Sequence, residues 1–116
     1  MTEKQLNNIS NVLIDLLPQN WDKVVYRSIV DKGYYESIFY VYVKDKWLQC
    51  YDLPEMFFVA EDEIDDAFAT IYKEYQASKI DWSSVTITIT CDYHVAADFE
   101  YNAPASFDTW KRQYIK

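Results

Sequence analysis

The first hydrophobic pattern along the chain has the 3.6-residue period of an amphipathic helix. Apolar side chains recur at helical spacing from Leu6 to Leu17, and Thr2 with Gln5 has the form of a capping box. Pro18 ends the pattern, because proline lacks the backbone N–H that a continuing helix needs. This segment therefore predicts an N-terminal helix of about four turns.

From Lys23 the period changes to two, which is typical of β-strands. The alternation predicts a first strand to Val30, a second over Tyr34 to Val43, and a shorter third over Trp47 to Tyr51. Because the links between these strands are short, an antiparallel meander is expected. The separating turns are Asp31-Lys32-Gly33 and Lys44-Asp45-Lys46.

The middle of the chain returns to the helical period. Ile64, Phe68, Ile71 and Tyr75 step by four, three and four residues, so they lie on one face of a second helix. Acidic residues fill its first turns and Lys73 comes late, which complements the helix dipole at both ends.

Two further strands and a short helix complete the predicted elements. The clearest alternation runs from Val85 to Cys91, and a strand over Val95 to Tyr101 follows an Asp92-Tyr93 corner. In the last strand the inward positions are predicted to be Val95, Ala97, Phe99 and Tyr101. Ser106 is expected to cap a final helix that carries Phe107, Trp110 and Tyr114.

These elements predict an α+β fold in a single domain over residues 1–116. The expected architecture is an antiparallel sheet of about five strands, with the N-terminal, middle and short C-terminal helices packed on it. With half of its 116 residues apolar and 18% aromatic, the chain is long and hydrophobic enough to form a core, and intrinsic disorder is excluded. Its one glycine, Gly33, excludes a phosphate-binding glycine loop.

The charge balance indicates what kind of partner the protein would attract. Nineteen acidic residues against eleven basic ones give a net charge of −8, which disfavours nucleic acid and anionic membranes and favours basic partners. There is no basic start followed by an apolar segment, and the longest uncharged apolar run is too short to span a bilayer. Cys50 and Cys91 are interpreted as buried free thiols, so a cytoplasmic protein is expected.

Catalytic and metal chemistry find little support in the sequence. The one histidine, His94, precedes Asp98 and Glu100 on the outward face of a strand, where a general base could lie but where an ordinary polar surface is the simpler interpretation. Strand alternation places Cys91 and His94 on opposite faces. One histidine and two distant cysteines give no zinc spacing. We therefore predict no catalytic residues, no metal and no cofactor.

Acidic and aromatic residues together suggest a protein-binding surface, because aromatic side chains anchor contacts while carboxylates steer a basic partner. Two acidic groups are candidates. The helix dipole stabilises acidic residues at a helix start, whereas acidic residues are unfavourable on a strand. Acidic residues on a strand therefore imply a partner or a nearby base such as Arg27 or Lys23. The strand group is for this reason ranked slightly higher as the partner contact. The helix start offers Glu61, Asp62, Glu63, Asp65 and Asp66; the strand offers Asp98 and Glu100, with Tyr93 and Tyr101 as aromatic neighbours.

Three segments resemble the YezG-like immunity (antitoxin) protein family. They are the helix end and strand entry Leu17-Pro18-Gln19-Asn20-Trp21-Asp22-Lys23-Val24, the aromatic strand Tyr35-Glu36-Ser37-Ile38-Phe39-Tyr40-Val41-Tyr42, and Asp81-Trp82-Ser83-Ser84-Val85-Thr86-Ile87 leading to Ala97-Asp98-Phe99-Glu100-Tyr101. The resemblance implies a bacterial protein that neutralises a secreted nuclease toxin by binding it. It carries over no catalytic residue.

The leading hypothesis is thus an immunity protein whose acidic surface occupies the substrate site of a basic nuclease toxin. An adaptor domain that forms a homodimer through its aromatic residues is the first alternative. A small hydrolase that uses His94 with Asp98 and Glu100 is the second.

Overall fold

Two helices and a five-stranded sheet make up the computed structural model, which describes residues 2–31, 34–54, 61–77 and 82–101. The fold is α+β, as predicted. The predicted C-terminal helix and the turn at Gly33 lie outside the described residues. In chain order the elements are α1 (Glu3–Ile14), β1 (Lys23–Asp31), β2 (Tyr34–Val43), β3 (Lys46–Gln49), a 3₁₀ turn (Cys50–Asp52), α2 (Glu61–Gln76), β4 (Ser84–Thr90) and β5 (Val95–Glu100).

The chain divides into two compact units. The helical unit comprises Met1–Gln19 and Tyr51–Asp81, and the sheet unit comprises Asn20–Cys50 and Trp82–Lys116. None of the described helices is both long and apolar enough to cross a membrane.

Helix α1 begins with the predicted capping box. The Gln5 N–H donates to Thr2 Oγ1 at 3.2 Å, and the Thr2 N–H donates to Gln5 Oε1 at 2.9 Å. The helix ends at Ile14, earlier than predicted, because the N–H groups of Leu16 and Leu17 each bond to the carbonyl three residues before at 3.0 Å. This tighter turn precedes Pro18, whose ring disfavours helical geometry in the residue before it.

Helix α2 forms the second half of the helical unit. Its buried stripe is the predicted one, with Ala67 added: Ile64, Ala67, Phe68, Ile71 and Tyr75. Ile9 and Leu13 of α1 are also fully buried. Glu74 joins the two helices, because its carbonyl accepts from Gln5 Nε2 and its Oε1 accepts from Asn8 Nδ2, both at 3.2 Å.

The sheet is antiparallel throughout, with strand order β3-β2-β1-β4-β5. The predicted meander of β1, β2 and β3 is confirmed. Strand β4 returns to pair with β1 rather than with β3, which makes β1 the central strand and leaves β5 at an edge.

The two faces of the sheet differ in burial. On the Tyr26 face, the row through Phe39, Tyr26 and Ile87 is fully buried, and the Tyr26 hydroxyl lies 2.9 Å from the Ser37 hydroxyl. On the opposite Arg27 face, Ile38 and Arg27 are buried in β2 and β1, whereas alternate residues of β5 are exposed. The sheet therefore presents its exposed polar surface at the β5 side of the Arg27 face.

Three sequence predictions need correction. Strand β3 ends at Gln49, since the chain enters a 3₁₀ turn at Cys50. Cys50 is buried as predicted, but Cys91 is exposed, because β4 ends at Thr90 and the Tyr93 N–H closes a turn onto the Thr90 carbonyl at 2.8 Å. Tyr101 was predicted to face inward, yet it lies past the end of β5 with 59% of its surface exposed.

Candidate partner-binding surfaces

The helix surface consists of Glu61, Asp62, Glu63, Asp65 and Asp66, all exposed on the first turns of α2. Carboxylates are favourable there, because they offset the positive end of the helix dipole by about 0.3–1 kcal/mol each when exposed. The Tyr51 hydroxyl donates to Asp65 Oδ1 at 2.9 Å. Within the described part of the chain, none of these five side chains forms an ion pair with a lysine or arginine. Their negative charge is therefore directed to solvent.

An open groove of about 380 Å³ lies between α1 and α2, and two residues of the helix surface, Glu63 and Asp66, line part of it. Carboxylates from both sides of the groove and apolar side chains make up most of its lining. A lysine or arginine side chain combines an aliphatic stem with a cationic end, so it is complementary to a lining of apolar residues and carboxylates. The lining residues are Val12, Asp15, Leu16, Glu63, Asp66, Ala67 and Thr70.

Charge is divided unequally between the two units. The helical unit contains eleven acidic and three basic residues, whereas the sheet unit contains eight of each. The helical unit thus carries the whole net charge of −8. The sequence alone could have supplied these counts, but only the tertiary structure defines the units to which they apply.

The strand surface consists of Tyr93, Asp98, Glu100 and Tyr101, all exposed on β5 or at its ends. Glu100 Oε1 lies 2.8 Å from Arg27 Nη1, which also donates to Thr86 Oγ1 at 2.8 Å. The register explains the contact, because Arg27 on β1 lies opposite Thr86 on β4, and Glu100 lies one diagonal step further on β5. The base expected near these strand acids is therefore Arg27, and half of the strand surface's negative charge is locally compensated.

The tip of the β4–β5 hairpin presents an aromatic side chain in an unusual backbone conformation. Tyr93 has φ +66°, the left-handed region that a bulky residue occupies at a cost of about 1–3 kcal/mol. Tyr93 is 66% exposed, and its ring meets Trp21 edge-on, with ring centroids 6.3 Å apart. The Thr90 hydroxyl and the His94 N–H both donate to Asp92 Oδ1, which holds the turn. Those hydrogen bonds, chiefly the one from Thr90, lower the pKa of Asp92 below its ordinary value.

The ring contact between Trp21 and Tyr93 was missed by the sequence reasoning, as was the contribution of Asp15 to the groove. Trp21 and Tyr93 are far apart in sequence, and no periodicity links them. The sequence shows that Asp15 lies at the end of the first predicted helix and that the second predicted helix is acidic. It does not show that these two helices pack against each other.

Few side chains near His94 are placed to assist it in catalysis. His94 is exposed just before β5, and Asp98 and Glu100 occupy the same face of that strand. Glu100 is engaged by Arg27, and Cys91 is exposed in the turn rather than buried on the opposite face. Among the described residues, no group of three or more His, Cys, Asp or Glu side chains could hold a metal ion.

The structure keeps the two predicted acidic groups on separate elements, one in each unit. Exposed carboxylates beside exposed tyrosines are typical of surfaces that bind other proteins.

The sequence profile of the family described as "Immunity protein YezG-like" matches residues 2–116, and the chain therefore belongs to the YezG-like immunity protein family. It is also 26% identical over 104 residues to "Immunity protein YezG" of Bacillus spizizenii (strain ATCC 23059 / NRRL B-14472 / W23). That match covers 80% of this chain and 64% of the relative, so the chain spans less than two thirds of the relative's length. The resemblance found in the three sequence segments is confirmed, and the family supports an immunity role.

Proposed function

We propose that the protein binds a nuclease toxin with a basic substrate site and inhibits it, and that the helix surface makes the principal contact. The observation that carries the proposal is the concentration of the whole net charge of −8 in the helical unit. Enzymes that cut nucleic acid bind phosphates with lysine and arginine, so an acidic protein surface competes for the same site. Inhibition then needs no chemistry of the inhibitor's own.

The groove between α1 and α2 supplies a specific contact within that surface. Its apolar residues Val12 and Leu16 would pack on the stem of a toxin lysine or arginine, and Glu63 and Asp66 would bind the cationic end. A guanidinium is the better fit, since its planar fork binds two carboxylate oxygens at once.

The strand surface is the second contact that we propose, with Tyr93 and Tyr101 as aromatic anchors beside Asp98. We rank it below the helix surface, which reverses the order drawn from sequence, because Arg27 already compensates Glu100. Exposed tyrosines nevertheless suit an interface, since they bring large contact area and lose little conformational freedom.

A matched pair of charge reversals tests the ranking. Asp66→Lys and Asp98→Lys each reverse one exposed carboxylate, one on each surface. The probe is the purified domain of a nuclease toxin with a basic substrate site, with binding followed by calorimetry and inhibition by a nuclease assay. We expect Asp66→Lys to weaken binding by at least about ten-fold, because close interfacial charge pairs couple by about 1.5–7 kcal/mol. Asp98→Lys should have the smaller effect.

Circular dichroism of both variants serves as the control for folding. Association of the parent should slow as salt is raised, because charge steering is screened beyond about 8–10 Å at 0.1–0.15 M salt. If both folded variants inhibit the nuclease as well as the parent does, the acidic surfaces are not the contact.

A further inference from the structure

Strand β5 has two edges, and one of them is bonded to β4. The carbonyl of His94 accepts from the Thr90 N–H at 3.0 Å, and that of Glu100 accepts from the Ser83 N–H at 2.8 Å. Even-numbered residues of β5 therefore bond inward, and alternation turns the N–H and C=O groups of Val95, Ala97 and Phe99 outward. No described strand pairs with that outer edge.

Such an edge is a template for another strand, and natural proteins usually shorten, bend or charge it. The six residues of β5 contain no proline. Tyr93 and Tyr101, at its two ends, are 66% and 59% exposed. Within the part of the chain that the structure describes, the outer edge of β5 and its flanking tyrosines thus form a surface that no strand covers.

We propose that a second copy of this chain occupies the edge, with the two β5 strands antiparallel and a two-fold axis at Ala97. The hydrogen-bonding geometry limits the possible registers. Outward-facing residues must pair with outward-facing residues, so the axis passes through a residue of β5 and not between two residues. Among these positions, Ala97 gives the longest overlap, because all three outward residues of β5 then pair and up to about six inter-strand hydrogen bonds form.

The side chains of β5 are complementary to themselves in that register. His94 lies opposite Glu100 of the second copy. Arg27 contacts Oε1 of that carboxylate, so an imidazole N–H can donate to the other oxygen. Val95 lies opposite Phe99 of the second copy, an apolar pair. Asp98 lies opposite an alanine, Ala96, so no two carboxylates face each other directly.

The ends of the strand and the charge of the unit agree with the same pairing. Tyr93 and Tyr101 are each four positions from Ala97, so each Tyr93 comes near Tyr101 of the second copy. The sheet unit holds eight acidic and eight basic residues, so two copies of it do not repel each other through net charge. The dimer joins the sheets edge to edge and leaves the Arg27 faces of both copies on the same side.

The inference does not require a toxin, and its first test uses the full chain alone. Sedimentation equilibrium should show a dimer, and hydrogen exchange should show the amides of Val95, Ala97 and Phe99 becoming protected as concentration rises. Ala97→Pro removes an outward N–H and leaves the bonds to β4 in place, which edge strands tolerate. We expect it to raise the dimer dissociation constant by about ten-fold or more with unchanged circular dichroism.

A second pair of variants gives an answer even if Ala97→Pro disturbs the strand. His94→Glu sets like charges opposite each other twice per dimer and should raise the dissociation constant by about ten-fold, whereas His94→Gln keeps a donor and should change it little. Dimerisation should persist at high salt, unlike toxin binding. A chain that is monomeric at every concentration would overturn the inference, and so would a dimer that His94→Glu leaves intact.

Discussion

The helical unit holds eleven acidic and three basic residues, and the sheet unit holds eight of each. The difference follows from what each element tolerates. At the start of α2 a carboxylate is stabilised by the helix dipole itself, so acids can accumulate there without a cationic neighbour. On β5 the acidic residue Glu100 has a cation beside it, Arg27, at 2.8 Å.

This contrast helps to distinguish an acidic residue that binds a partner from one that stabilises the fold. A carboxylate that local structure already stabilises is free to serve a partner, since its charge reaches solvent uncompensated. A carboxylate on a strand more often forms an ion pair with a basic residue of the same sheet. The comparison of the two units depends first on whether they unfold as one domain.

The largest expected effect comes from the core of the helical unit. Ile71 is fully buried, so Ile71→Ala should lower the free energy of unfolding by about 2–5 kcal/mol. Unfolding in urea would be followed by circular dichroism, which reports mainly on the helices, and by tryptophan fluorescence. All four tryptophans belong to the sheet unit. If the chain is the predicted single domain, both signals shift together; separate midpoints would make it two domains.

A smaller effect is expected from the ion pair of the sheet unit. Arg27 is only 7% exposed, and Arg27→Met keeps most of its apolar stem while removing the hydrogen bonds to Thr86 and Glu100. We expect the free energy of unfolding to fall by about 1–2 kcal/mol. This value is at the low end for hydrogen bonds to charged groups, because Glu100 is half exposed to solvent. Lys23→Met, an exposed change on the same face of β1, should be near neutral. An additive double variant with Glu100→Gln would mean that the pair contributes nothing.

The smallest effect concerns the β4–β5 turn. The hydrogen bond from Thr90, and then that from the His94 N–H, lower the pKa of Asp92 below 3.8. A lowered folded-state pKa stabilises the protein above the unfolded value, and this contribution is lost as pH falls through the folded value. Thr90→Val should therefore raise the pKa of Asp92 in an NMR titration. Thr88→Val, on the same face of β4, should leave it unchanged.

Much of the secondary structure could be predicted because its signals are local. The capping box at Thr2, the stripe through Ile64 and Ile71, and the alternation before Thr90 each depend on residues a few positions apart. Errors fell at the ends of elements, such as the end of β4, where hydrogen bonds decide and hydrophobicity does not. Cys91 was misplaced for that reason.

The sequence by itself determined the α+β class, the acidic character and the two acidic groups, because composition and short-range periodicity are properties of the chain. Only the tertiary structure brought Arg27 to Glu100, 73 positions later, by placing β4 and β5 beside β1. It also paired α1 with α2 to form the groove, and it left β5 at an edge. Such pairings join segments distant in sequence, and their stability depends on the whole set of strands and helices packing together, which no local pattern encodes.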